Sequence, residues 1–247
     1  MLNAFKRYSP ILIIALIWEI VPRTGLVSSE ILPPISTILT AGVGLFTSGE
    51  IYHHAAMSLF RAFAGLLAAI LFGVAAGISM AWFKPVKIIL NPLVQMVYPV
   101  PRSALIPVMI MWFGIGSLSK IVLIFLGCML PVIISSYNGA RGVEKVYIWS
   151  ARSLAASRRQ VLWQIVLPAA MPSILNGIRT ALAICFVLLV STELLISREG
   201  LGYLIGILGG NGIYPAMFAV IFIVIAIGFT ADRLYLLFSR RALSWLS

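Results

Sequence analysis

Charged side chains are scarce in this sequence: only 10% of its 247 residues are Asp, Glu, Lys or Arg, whereas 61% are hydrophobic. A water-soluble domain of this size needs far more polar surface, so the composition excludes an ordinary soluble protein. Several apolar runs reach the roughly 20 residues that a helix needs to cross the hydrocarbon core of a bilayer. The sequence therefore predicts an all-α integral membrane protein with several transmembrane helices.

The residue types on which enzymes and metal proteins depend are also few. His53 and His54 are the only histidines, and because they are adjacent we favour an interfacial position before a span over a metal site. No Ser/His/Asp set occurs, and the glycine-rich run 200–212 lacks the Lys-Ser/Thr pair of a phosphate-binding loop. We expect no catalytic residue, metal or cofactor in this chain. Cys128 and Cys185 fall inside predicted spans, which predicts free buried thiols and no disulfide.

Positive charge is in excess, and its placement predicts the orientation of the chain. A formal net charge of +11 would suit nucleic acid, but the basic residues lie in short segments between apolar runs, as they do in cytoplasmic loops. Lys6 and Arg7 precede the first apolar run, and Arg240 and Arg241 follow the last. We therefore expect both termini to be cytoplasmic, and we expect no nucleic-acid partner.

Six spans account for this charge distribution. We predict them at 11–21, 56–83, about 90–112, 121–137, 172–196 and 215–238. The chain then divides into residues 1–54, which hold the first span and an outer segment with one short interfacial helix, and a five-span core at 55–247. The outer loop 197–214 is glycine-rich and half apolar, which is compatible with its folding back into the protein. No internal repeat is evident.

Small residues and prolines give two of these spans a particular character. In the second span, small side chains predict close packing by neighbouring helices: Gly65, Gly73, Ala76 and Gly77. The third span contains several prolines and must therefore be broken: Pro92, Pro99, Pro101 and Pro107. Broken backbone at membrane depth survives only inside protein or beside a wet cavity, so the third span is a candidate wall of a transport pathway.

A basic amphipathic segment at 139–172 is too charged to cross a bilayer and too apolar to be a loop. We predict a first short helix at 146–155. Ser157 with Gln160 three residues later is typical of an N-cap with a capping box, so a second helix begins there, and Pro168 and Pro172 are expected to end it. We interpret the segment as two short helices at the membrane surface, presented to a partner. A basic surface that attracts anionic lipid is the alternative.

The same segment carries a resemblance to a known family. Trp149-Ser150-Ala151, Ala155, Ile165 and Leu167-Pro168 have the spacing of the EAA signature of ABC-transporter permeases. The run 151–157 resembles the nitrate, sulfonate and taurine branch of that family, and 104–116 is another close match. Two positions depart from the signature, since Trp149 replaces the usual Glu and Ala155 the usual Gly.

The resemblance implies a six-span, MetI-like transmembrane domain of a type I importer in the bacterial inner membrane. It implies a second copy of the permease, two cytoplasmic ABC ATPases that carry the ATP and Mg²⁺, and an external substrate-binding protein as partners, in addition to membrane lipid. The coupling region is then 139–170, and its motif residues would dock on the ATPase, with Leu154 and Trp149 as apolar anchors and Arg152 at the rim: Trp149, Ala151, Arg152, Ser153, Leu154, Ala155, Ala156, Ser157, Ile165, Leu167 and Pro168.

Ionisable and polar residues inside spans are costly in a bilayer and are candidates for the pathway or its gate. Besides Pro107 we single out Arg61, Arg102, Arg179, Ser191, Thr192 and Glu193. Arg61 and Glu193 either pair or approach the pathway mouth. Arg102 and Arg179 either make a cavity electropositive or extend to the inner interface. Ser191 and Thr192 either offer hydrogen bonds or bond their own backbone.

These arginines favour a small anion such as nitrate, a sulfonate or taurine as the substrate. A neutral or vitamin-like substrate, of the thiamine-precursor or riboflavin type, is the alternative within the same class. A secondary transporter driven by an ion gradient is the rival from another class. It would need a midplane carboxylate or histidine relay, and Glu193 is the only acidic residue that we place well inside a span.

Overall fold

The computed structural model describes residues 2–246, and among them the side chains of residues 9, 10 and 12–245. The described residues form helices joined by short irregular connections and contain no strand. The helices are α1 (Leu2–Ile20), α2 (Ile35–Ser48), α3 (Glu50–Trp82), α4 (Lys84–Val97), α5 (Ile106–Phe113), α6 (Ser117–Arg141), α7 (Lys145–Ser153), α8 (Arg158–Val161), α9 (Leu167–Leu195), α10 (Leu201–Gly210) and α11 (Tyr214–Ala242). The side chains of Lys6 and Arg7, on which the predicted orientation partly depends, lie outside the described side chains.

Within residues 2–246, four helices are long and apolar enough to cross a membrane. They are Glu50–Trp82, Ser117–Arg141, Arg158–Leu195 and Tyr214–Ala242. A fifth candidate is the pair Lys84–Val97 and Arg102–Phe113, which is bent by 95° at a short break. The predicted break in the third span is therefore confirmed. α1 contains Lys6, Arg7 and Glu19 within 19 residues and is not among these helices, so the first predicted span, and with it the total of six, stays a prediction.

The prediction that Pro168 and Pro172 end a helix is wrong. The helix that begins at Arg158 continues through a π-helical turn, Leu162–Val166, into α9. In this turn the N–H of Leu167 bonds the carbonyl of Leu162, five residues back. Proline has no backbone N–H and therefore removes one donor from the regular hydrogen bonds between residues i and i−4. In the turn just before Pro168 the hydrogen bond already reaches five residues back, so the chain stays helical.

Two compact units divide the chain. The first contains the residues up to Ser58 together with Glu193–Ile227, and the second contains Leu59–Thr192 together with the residues from Gly228 onward. In the first unit the apolar face of α2 packs with α10 and the beginning of α11, around Ile38, Leu204 and Val220. The loop predicted to fold back thus does so as α10, whose apolar residues join this core. The predicted division after residue 54 stays a prediction.

The second unit shows why α3 is rich in small residues. A Cβ on Gly65 would lie 2.7 Å from Ile124 Cγ2, and one on Gly77 would lie 2.5 Å from the carbonyl oxygen of Ile133. The predicted close packing of a neighbouring helix is confirmed, and that helix is α6. Cys128 and Cys185 are free and buried as expected, and their thiols donate to backbone carbonyls within this unit.

Candidate functional site

The amphipathic segment at 144–168 begins with α7, which ends in a tight reversal. The N–H of Ala155 bonds the carbonyl of Arg152 (3.0 Å), and the N–H of Ala156 bonds that of Ala151 (3.0 Å). This pair of bonds is the Schellman motif, whose C′ residue adopts a left-handed conformation. Ala155 occupies that position with φ +60°, and no other non-glycine residue of the described backbone has a positive φ. The usual glycine of the signature is thus explained by backbone geometry.

The second helix of the segment begins as predicted. The Ser157 hydroxyl accepts the N–H of Gln160 (3.3 Å), and the Gln160 side chain accepts the N–H of Ser157 (2.8 Å). Both halves of the capping box are present. Because two backbone donors are satisfied at once, the connection between α7 and α8 is held at both ends, by the reversal at Ala155 and by this cap.

The predicted coupling residues divide into a packed set and an exposed set. Ala151, Ala156, Ile165 and Leu167 pack against a buried cluster that includes Val161 and Val166, and Pro168 is half-buried. By contrast, Trp149 is 61% exposed and Leu154 is 81% exposed. Exposed as well are Arg152, Ser153, Ala155 and Ser157. Two large apolar side chains of the segment are thus exposed, whereas its other face packs against the buried cluster.

A buried carboxylate organises the first unit. Glu193, 0% exposed, accepts the hydroxyl of Ser58 (2.7 Å) and the N–H of Gly202 (3.1 Å). The Ser58 oxygen in turn accepts the N–H of Leu201 (2.8 Å). Both N–H groups belong to the first turn of α10, so the charge of Glu193 lies at a helix N-terminus, where it is stabilised. Glu193 and Ser58 therefore fasten α10 to α3.

The residue before α10 completes this arrangement. The N–H of Gly200 donates to His54 Nδ1 (3.0 Å), and His53 Nε2 lies 3.3 Å from a carboxylate oxygen of Glu199. Gly200 has φ +112°, and a Cβ there would contact the Glu193 carboxylate. The sequence analysis did not predict that Gly200 admits a carboxylate, although Gly200 and Gly202 so soon after Glu193 are a signal for it.

Two buried cations lie in the second unit. Arg61, 1% exposed, donates through Nε to the Ser117 hydroxyl (3.0 Å). Lys120, 3% exposed, donates to the carbonyl oxygens of Ile115 (2.5 Å) and Gly116 (3.2 Å) just after α5. The structural role of Lys120 was missed. Arg61 and Glu193 belong to different units, and their pairing stays a prediction.

Arg102 lies at the break of the bent pair, in a short 3₁₀ turn, Arg102–Leu105. Its Nε is buried and has no hydrogen-bond partner among the described residues. Pro107 is exposed and lies in the first turn of α5. Its missing N–H costs no intrahelical hydrogen bond there. Thr192 bonds its own helix through the carbonyl of Leu189 (2.9 Å), which decides between its two alternatives, and Ser191 is half-buried beside it.

Arg179 has an acidic partner within the second unit. It forms a two-point ion pair with Asp232 of α11, with Nε–Oδ1 2.8 Å and Nη2–Oδ2 3.1 Å. This pairing compensates the charge of Arg179, and its place at a cavity or at the inner interface stays a prediction. The statement that Glu193 is the only acidic residue well inside a span is wrong, because Asp232 lies inside the sixth predicted span. The hydroxyl of Tyr235, one turn later, donates to the carbonyl of Leu175 (2.6 Å).

A described chain of helices, several of them long and apolar enough to span a membrane and one pair bent at a break, defines a polytopic helical membrane protein. Solved structures support this fold. The chain matches a subunit of an inward-facing MetNI methionine ABC transporter with a TM-score of 0.62 and 16% identity, over 78% of this chain and 95% of that one. It matches an amino acid ABC transporter solved with histidines with a TM-score of 0.61 and 18% identity, over 81% and 94%.

Sequence comparison identifies the family. Residues 69–244 match the family described as the binding-protein-dependent transport system inner membrane component. The chain is 37% identical to the taurine transport system permease protein TauC of Escherichia coli K12, over 93% of this chain and 85% of the relative. It is 38% identical to the aliphatic sulfonates transport permease protein SsuC of Bacillus subtilis 168, over 97% and 89%.

The chain therefore belongs to the family of inner-membrane components of binding-protein-dependent transport systems. It is a permease subunit of an ATP-driven ABC importer for a small solute. It is not itself an enzyme, since in such importers ATP hydrolysis belongs to a partner subunit.

Proposed function

We propose that this permease imports a small organic sulfonate. The observation that carries the proposal is the identity of 37–38% to permeases named for taurine and for aliphatic sulfonates, over more than nine tenths of this chain. Nitrate and the neutral, vitamin-like substrates considered from the sequence are less well supported, because neither relative is named for them. The excess of basic residues is compatible with an anionic substrate.

In this proposal two copies of the chain form the pathway, each with six spans and cytoplasmic termini. Two ATPases with ATP and Mg²⁺ bind from the cytoplasm, and a substrate-binding protein docks outside. ATP binding closes the ATPases, the coupling segments move with them, and the spans alternate between inward and outward access. The pathway residues Arg61, Arg102 and Glu193 belong to this proposal, whereas Arg179 leaves it because Asp232 already compensates its charge.

We assign docking on the ATPase to α7 and the reversal that follows it. The exposure of Leu154 and Trp149 supports this role, as do the reversal at Ala155 and the cap at Ser157, which hold the segment rigid. A segment that transmits a movement between subunits must resist local unfolding, and two helix ends whose backbone groups are hydrogen-bonded meet that requirement. The ion-gradient alternative gives no role to these exposed apolar side chains.

The test uses the complete transporter in liposomes. Uptake of radiolabelled taurine or an alkanesulfonate should require ATP and the binding protein, and nitrate at equal concentration should not compete. Leu154→Asp should abolish the stimulation of ATPase activity by the loaded binding protein. An apolar anchor that becomes buried in an interface typically contributes about 2 kcal/mol or more to binding. Leu154→Ile, which keeps the apolar volume, should retain it. Uptake without ATP, or full coupling in Leu154→Asp, would contradict the proposal.

A further inference from the structure

The second unit contains a cavity that is lined in part by α4, the first half of the broken third span. It has a volume of about 350 Å³ and lies between α3, α4 and α6, within the range of about 300–1,000 Å³ of small-molecule sites. Its lining includes the apolar side chains of Met80, Val94, Ile133 and Ile134. It also includes three carboxamides and two phenols: Asn91, Gln95, Asn138, Tyr98 and Tyr137.

Positive charge converges on one of these phenols. The Nζ of Lys87 lies 5.6 Å from the centre of the Tyr137 ring, and the guanidinium carbon of Arg141 lies 5.9 Å from it. Arg141 also donates to the Tyr137 hydroxyl (2.9 Å). No carboxylate lines the cavity, and within the described part of the chain neither cation forms an ion pair. Two basic side chains at one phenol, with no acidic neighbour, create a local positive potential.

This combination of groups selects a ligand class. Carboxamide and phenol groups donate several hydrogen bonds, which a tetrahedral oxyanion can accept on its separate oxygens. The apolar side chains of the lining can accommodate a short carbon chain. We propose that this cavity binds an organic oxyanion of the sulfonate class, and that its occupant is the solute already delivered to the cytoplasmic side. The identity of the solute rests on the proposed function.

The position of Arg141 suggests what occupancy does. Arg141 is the last residue of α6, and α7 begins four residues later. A ligand that draws Arg141 towards the cavity would restrain the segment that we assign to the ATPase interface. Accumulated solute would then slow ATP hydrolysis, so the cavity acts as a product-inhibition site within the permease itself.

The experiment measures ATPase activity of the complete transporter in nanodiscs, without binding protein, against increasing methanesulfonate at constant ionic strength. Dimethyl sulfone has nearly the same shape and no charge, and it serves as the control ligand. Methanesulfonate should inhibit and dimethyl sulfone should not. In Lys87→Gln/Arg141→Gln the half-inhibitory concentration should rise about tenfold or more, and in Tyr137→Phe about threefold, because charged and neutral donors are lost respectively. Lys84→Gln, in the exposed first turn of α4, should stay within about twofold of the parent.

Equal inhibition by both compounds, or an unchanged half-inhibitory concentration in the double variant and in Tyr137→Phe, would overturn the site. The assay is run in phosphatidylcholine alone and with added phosphatidylglycerol. Inhibition by methanesulfonate in both supports a free solute, whereas inhibition by the anionic lipid alone assigns the cavity to a lipid headgroup and overturns the proposal. This assay measures ATP hydrolysis and not transport. If methanesulfonate does not inhibit the ATPase, the proposal of sulfonate import is unaffected. If sulfonate import fails in the liposome test, the inhibition measured here can still be interpreted.

Discussion

Arg179 on α9 and Asp232 on α11 are 53 residues apart in the chain and meet in a two-point ion pair. Both oxygens of the carboxylate are engaged by the fork of the guanidinium, the geometry in which such pairs are strongest. Because the positive charge is matched, Arg179 contributes little to the potential of a pathway, and its contribution is the attachment of α11 to α9.

Breaking this pair should lower the thermal stability of the purified transporter. Asp232→Asn leaves Arg179 without a counter-charge and should lower the midpoint of unfolding more than Arg240→Gln, which changes an exposed arginine at the end of α11. The exchange Arg179→Asp/Asp232→Arg should recover part of the loss. If the double exchange lowers the midpoint of unfolding by as much as the two single variants together, the ion pair does not contribute to stability.

Ala155→Gly should stabilise the coupling segment. A left-handed conformation costs an L-residue about 1–2 kcal/mol that glycine does not lose, and Gly is the usual residue at C′ of this motif. The variant should unfold at higher denaturant concentration and keep its ATPase coupling. Ala156→Gly is the matched control: its φ is not positive, so glycine there should have no such benefit. A gain of the same size at both positions would refute this explanation.

Removal of the cap at Ser157 should loosen the segment locally. Ser157→Ala leaves the N–H of Gln160 without its acceptor, and loss of an N-cap costs about 1 kcal/mol. Backbone amides at 157–161 should exchange hydrogen several-fold faster. Ser153→Ala removes a hydroxyl that bonds only within its own helix turn and should leave exchange in that region nearly unchanged. Equal exchange in the two variants would argue against the cap.

Gly200→Ala should be the most disruptive of these changes. The new methyl group would contact the Glu193 carboxylate at a φ of +112°, and strain of this kind costs of order 1–3 kcal/mol. Proteolysis of the 197–202 connection and a lower midpoint of unfolding would report it. Gly210→Ala, where a Cβ meets nothing within 4 Å, is the control. Unchanged protection of the connection in Gly200→Ala would mean that α10 is not held by Glu193.

Local chemistry explains which features of the site could be predicted. The cap at Ser157 and the break in the third span depend on residues within a few positions of one another, so turn and cap rules apply directly. The continuation of the helix past Pro168 could not be predicted in the same way. It depends on a π-helical turn at Leu162–Val166, and the buried apolar contacts of Val161 and Val166 favour keeping that helix intact.

The sequence by itself determined that this protein is embedded in a membrane, that its helices are long and apolar, and that one span is broken, whereas the position of the basic amphipathic segment outside the hydrocarbon core stays a prediction. Composition and short-range spacing are sufficient for these conclusions, because the cost of burying charge acts on every residue separately. Only the tertiary structure decided that Asp232 neutralises Arg179, that Glu193 anchors α10, and that Asn91 and Tyr137 face one cavity. Those relationships join residues 9 to 53 positions apart, and helix packing alone brings them together.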